Sequence, residues 1–127
     1  MSLRTPIGRA RGLGSAKEGV AHWWAQRLSA IALALLVPWF LLLAVGLVGV
    51  DHATVAARIG QPLNATLMLA FVGAMLWHAQ LGLQVVIEDY VHSRALELFA
   101  LIAVRLVFAL AALATLVAVG RLVFSAR

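Results

Sequence analysis

The stretch LNATLMLAFVGAMLWHAQLGLQVVI, residues 63–87, decides the fold. It carries no Asp, Glu, Lys or Arg, and its one ionisable side chain is His78. An α-helix needs ~20 mostly apolar residues to cross the ~30 Å hydrocarbon layer of a bilayer. Lipid offers no partners to backbone N–H and C=O groups, so a run of this length must be helix. Two further runs flank it. Residues 28–50 are free of charge between Arg27 and Asp51, and residues 98–120 hold a single charge, Arg105. The expected architecture is all-α, an integral membrane bundle of three transmembrane helices near residues 25–50, 63–88 and 97–121. A cytoplasmic N-terminal tail and interface precede them over residues 1–24, and the whole of 1–127 reads as one membrane-anchor domain. Pro38 lies in the first span, where a membrane helix tolerates it as a kink.

Composition agrees with this reading. Of 127 residues, 64% are hydrophobic and 12% are charged, against roughly 25% charged in a soluble domain. So little charge could not keep a small globule in solution. Cysteine is absent, which excludes a disulfide framework, a thiolate metal site and a cysteine-held iron–sulfur cluster. The net charge of +5 does not point to nucleic acid. The basic residues lie mainly outside the apolar runs, where they orient helices and meet anionic lipid headgroups. The apolar run near the N-terminus starts too late and continues too long for a cleavable signal.

Positive charge sets the orientation. Arg4, Arg9, Arg11, Lys17 and Arg27 precede the first span and Arg94 follows the second; Arg58, Arg121 and Arg127 lie on the other side. The richer side is expected to be cytoplasmic. This puts the N-terminus inside, the C-terminus outside, and His22, Trp23 and Trp24 at the cytoplasmic interface.

His78 is the sharpest feature within the membrane. A polar group at that depth must be partnered, and intramembrane ionisable residues are functional candidates by default. It is either hydrogen-bonded to a neighbouring helix or a haem or metal ligand, both of which suit imidazole. At ~100° per residue, Gly82, Val85 and Asp89 share its face of the helix, and Gly82 leaves room for a flat cofactor or a close helix. Asp89 falls at the cytoplasmic end, followed by Tyr90; on these two residues alone, an interfacial tyrosine beside a solvated carboxylate is the plainer reading. His22, His52 and His92 lie at or beyond the membrane boundary. A six-coordinate b haem on His78 therefore needs its second axial ligand from another chain.

The run His78-Ala-Gln-Leu-Gly82-Leu-Gln84-Val-Val-Ile-Glu-Asp89-Tyr90-Val-His92 resembles the small D-type hydrophobic membrane anchor subunits of succinate dehydrogenase. So does His22-Trp23-x-x-x-Arg27 ahead of the first span. The resemblance implies a bacterial inner-membrane subunit of succinate:quinone oxidoreductase, respiratory complex II. Its partners would be a flavoprotein that oxidises succinate, an iron–sulfur subunit, and a second membrane anchor that shares haem b. His78 is similar to the axial haem ligand. Tyr90 resembles the hydrogen-bond donor to a quinone carbonyl, with Asp89 beside it, and the quinone would be ubiquinone or menaquinone. Arg27 is similar to the arginine near the haem propionates and quinone pocket, although a snorkelling arginine at that position is equally ordinary. Arg105 has no role in the resemblance and reads as snorkelling towards the cytoplasmic face. Two alternatives remain. One is the anchor of a fumarate reductase or related quinol enzyme running in reverse. The other is a non-redox membrane scaffold in which His78 serves only a helix–helix hydrogen bond.

Overall fold

The computed structural model describes Ile7 and residues 19–125. Arg4, Arg9, Arg11, Lys17 and Arg127, with the rest of the tail up to residue 18 apart from Ile7, lie outside the described residues. Four helices follow in order: α1 (Gly19–Val45), α2 (His52–Ile59), α3 (Pro62–Tyr90) and α4 (Arg94–Ser125). Three of them, α1, α3 and α4, are long and apolar enough to cross a membrane.

The boundaries differ from the apolar runs for local reasons. Helix α1 begins at Gly19, several residues before the charge-free run, because the interfacial His22, Trp23 and Trp24 are themselves helical. Trp23 and Trp24 meet edge to face at 5.0 Å. The helix runs through Pro38 and stops at Val45, short of the expected residue 50. The turn that follows contains Gly49 at φ +76°, a left-handed conformation that glycine reaches without a Cβ clash.

The connection to the second span, expected as a loop, holds the short helix α2. Asp51 starts it: its carboxylate accepts the Thr54 backbone N–H at 3.2 Å and the Thr54 hydroxyl at 2.6 Å. This is an N-cap, which satisfies donors that a helix start leaves open. Pro62 then occupies the first turn of α3, where its missing N–H costs nothing. The Asn64 amide ties the corner by donating to the Arg58 carbonyl at 2.8 Å. Between α3 and α4 only residues 91–93 are non-helical, so the second connection is shorter than the charge pattern implied.

Helix α3 is the middle of the assembly. It packs along α1 on one side and α4 on the other, while no Cα of α1 comes within 8 Å of one in α4. The α1 and α3 contacts pair Ser29 with His78 and Phe40 with Phe71, so these two helices run antiparallel. Buried apolar residues are few, namely Ala65, Phe71, Leu81 and Val119, and no large side chain among the described residues is fully enclosed. The outward surface of every long helix is apolar, with Leu35, Leu42, Phe99 and Leu110 among those exposed. In water such a surface would be untenable, and in lipid it is the solvated state. The chain is a multi-pass membrane protein.

Candidate functional site

Polar side chains inside the spans sort into two kinds. Thr66 and Thr115 donate their hydroxyl protons to carbonyls four residues back on their own helices, Pro62 and Ala111, each at 2.8 Å. Such back-bonding needs no second helix. Gln84 likewise donates to Glu88 along α3 at 2.8 Å. His78 is different, because both its ring nitrogens reach across to α1. Nδ1 lies 3.0 Å from Ser29 Oγ, and Nε2 lies 3.3 Å from Gln26 Nε2. Ser29 also donates to the Gln26 carbonyl at 3.0 Å. Ser29 is 3% exposed, the one buried polar residue among those described.

The spacing explains the arrangement. His22, Gln26 and Ser29 fall at i, i+4 and i+7, which places them along one helical stripe. That stripe faces the His78 face of α3. A Cβ built on Gly82 would meet Gln26 Nε2 at 3.9 Å, so Gly82 lies against the same glutamine. Gln26 and Ser29 are the residues that sequence reasoning missed. Their signal was the polar stripe in an apolar helix, but its register against α3 becomes defined only when the two helices pack. Two buried atoms on the stripe have no partner, His22 Nε2 and Gln26 Oε1.

The other candidates are placed less centrally. Tyr90 is the last residue of α3 and is 77% exposed. Asp89 beside it is exposed too, and the Tyr90 carbonyl lies 3.1 Å from His92 Nδ1. Helical rise puts Tyr90 ~18 Å from His78 along the axis, so the two do not form one contact site within the chain. Arg27 is exposed on α1 and its guanidinium lies 5.2 Å from the Trp23 ring centre. This cation–π stack holds Arg27 at the interface. Arg105 is exposed on α4. No group of three or more His, Asp or Glu side chains among the described residues is arranged to hold a bare metal ion. Adjoining apolar hollows of about 280 and 270 Å³ lie between α3 and α4, sharing Leu69 and Leu116, and neither is lined by His78.

The family of succinate dehydrogenase/fumarate reductase transmembrane subunits matches residues 1–118. The chain belongs to that family. A succinate dehydrogenase hydrophobic membrane anchor subunit of Rickettsia bellii is 39% identical over 117 residues, covering 92% of this chain and 94% of the relative. One from Paracoccus denitrificans is 37% identical over 90 residues, 71% of this chain and 70% of the relative. A succinate dehydrogenase membrane anchor subunit of Reclinomonas americana is 30% identical over 94 residues, 72% and 78% of the two chains. No solved structure matches the chain. Membership in this family, with three spanning helices, implies a membrane complex with other subunits.

Proposed function

We propose that the chain is a membrane anchor of a succinate:quinone oxidoreductase, supplying the axial ligand His78 to haem b and Tyr90, with Asp89, to the quinone-reduction site. The observation that carries this reading is the His78 imidazole at mid-span, met on both ring nitrogens by uncharged side chains only. A neutral imidazole is what a haem iron takes as ligand. The unpaired buried atoms of His22 and Gln26 also suit a polar group arriving from outside the chain, since buried polar atoms are normally hydrogen-bonded. When bound, haem b supplies a one-electron redox centre in the membrane. The chain's own parts orient it and approach the quinone: His78 as ligand, Arg27 towards propionates or the quinone pocket, and the Tyr90 hydroxyl as donor to a carbonyl oxygen. The quinone is ubiquinone or menaquinone.

The other partners follow from what the chain lacks. His78 is the one imidazole at mid-span depth, so the second axial ligand comes from a second membrane anchor. The iron–sulfur and flavoprotein subunits dock at the end of Arg27 and Tyr90. The arginine pattern makes that end cytoplasmic in a bacterial inner membrane, with the C-terminus periplasmic. A fumarate reductase anchor would use the same parts in the reverse direction, set by the soluble subunits. The two-sided hydrogen bonding of His78 favours one further reading, a scaffold in which it only fastens α1 to α3. The test is the b-haem absorption of the purified complex and of its His78→Ala variant. Loss or a marked shift of the reduced α-band in the variant is expected, and an unchanged spectrum overturns the ligand assignment. The isolated chain should be haem-free, and co-expression with the second anchor should restore the band.

A further inference from the structure

With the Gln26 amide nitrogen turned towards Nε2, one arrangement of protons satisfies the contacts of His78. A serine hydroxyl carries a single proton and can accept on its lone pairs. Ser29 Oγ lies 3.0 Å from the Gln26 carbonyl, which can only accept. That contact consumes the proton. Ser29 must therefore accept at its other contact, and the donor there is Nδ1–H of His78, also at 3.0 Å. A neutral imidazole protonated on Nδ1 bears its lone pair on Nε2, which takes the Gln26 amide at 3.3 Å. The opposite tautomer would set an Nε2–H against the Gln26 amide N–H, two donors 3.3 Å apart with no acceptor between them.

We propose that Ser29 is the positioning residue for His78, holding the imidazole in the tautomer whose Nε2 is free to ligate, with the Gln26 amide as a removable cover on that nitrogen. The inference rests on the haem-ligand reading above. Ser29 is well suited to the task. It is buried, so water does not compete for Nδ1–H. It stands on a different helix from His78, so the ring is fixed only when α1 and α3 are packed. Metal-bound histidines generally donate their other ring N–H to such an acceptor, which orients the ring and raises its basicity; removing the acceptor weakens metal binding on the order of 10- to 100-fold. Gln26 has a distinct part. Its amide occupies the one lone pair of the ring, so any ligand to Nε2 must displace it, and its unpaired Oε1 leaves it weakly held.

The test uses the assembled complex with Ser29→Ala and Ser29→Thr in this chain, read by haem content, low-spin electron paramagnetic resonance and the haem midpoint potential. Ser29→Ala is expected to weaken haem retention on the order of 10- to 100-fold and to raise the midpoint potential of the haem that remains, because a less basic ligand stabilises ferric iron less. Ser29→Thr keeps the hydroxyl and should return both towards the parent values. An unchanged potential and spectrum in Ser29→Ala overturns the proposal, and so does an equal shift in both variants. A second measurement needs no haem: ¹⁵N shifts of the full-length chain labelled at histidine, with His78 assigned by its loss in His78→Ala. Protonation on Nδ1 supports the assignment, and protonation on Nε2 overturns it. If His78→Ala keeps the b-haem spectrum, the ligand reading fails while the nitrogen shifts still decide the role of Ser29.

Discussion

Phe40 and Phe71 stack nearly parallel, with ring centres 4.5 Å apart and planes 14° from each other. Phe40 lies eleven residues beyond Ser29 on α1, and Phe71 seven before His78 on α3. Both intervals return to within about 20° of the same helical face. The aromatic pair and the His78 contacts are thus two fastenings along one seam, ~16 Å apart along α1. In lipid, burying a phenyl ring gains little from leaving water, and packing contacts carry the association. A double-mutant cycle of Phe40→Leu and Phe71→Leu should give a coupling of ~0.5–1.5 kcal/mol, read from thermal or detergent unfolding of the assembled complex. Additive effects would show that the rings are neighbours without mutual stabilisation.

Tyr90→Phe removes one hydroxyl at the exposed end of α3 and should leave the helix intact. Loss of a neutral hydrogen bond to bound quinone, ~0.5–1.5 kcal/mol, corresponds to a ~2–13-fold fall in quinone reduction. Succinate oxidation by an artificial acceptor at the soluble subunits should not change. Equal loss in both assays would mean that the substitution disrupts assembly.

Cysteine labelling reports the topology cleanly, because the chain has no cysteine of its own. Ala53→Cys on α2 and Ser93→Cys between α3 and α4 both occupy exposed positions. An impermeant maleimide applied to intact spheroplasts should label the first and spare the second. The reverse pattern would invert the orientation and move Tyr90 to the face opposite the one proposed for the soluble subunits.

Asp51 lies outside the spans, and its hydrogen bonds from the Thr54 side chain and backbone hold its carboxyl below the ordinary value of 3.8. A depressed carboxyl contributes stability above the ordinary value, and that contribution is lost as pH falls through the lower folded-state value. Amide exchange in α2 should therefore be unaffected by Asp51 titration near neutrality and accelerate only below about pH 3.8. Asp51→Ala should accelerate it near neutrality, and the two proteins should converge at pH values where Asp51 is protonated. Equal protection of α2 in the parent and the variant would show that the cap is dispensable.

Much of this was readable before folding. The three spans follow from runs too long and apolar for anything but helix in lipid, and His78 stands out as the one imidazole well inside a span. The start of α1 was not readable from charge, because Trp23 and Trp24 sit where interface and helix overlap. Helix α2 is not legible from apolar periodicity, because eight residues are too few for it to register, and Asp51 three residues ahead of Thr54 is the one N-cap signal for it. Gln26 and Ser29 were hidden for a deeper reason. Their position against His78 is a property of two helices in register, and no window along one helix contains it.

Because α1 packs closely along α3 and comes within 8 Å of α4 at no Cα, it is held on one side where α3 is held on two. A helix wedged between two neighbours cannot roll, whereas one attached along a single line can turn about its own axis. The phase of that rotation is indexed along one seam by Gln26 and Ser29 on His78 and by Phe40 on Phe71. A roll of one residue, about 100°, would carry both off their partners at once. The polar contact therefore works as a keyway as much as a bond: it records which way α1 faces, and with it the direction in which the Trp23–Arg27 stack points at the membrane surface.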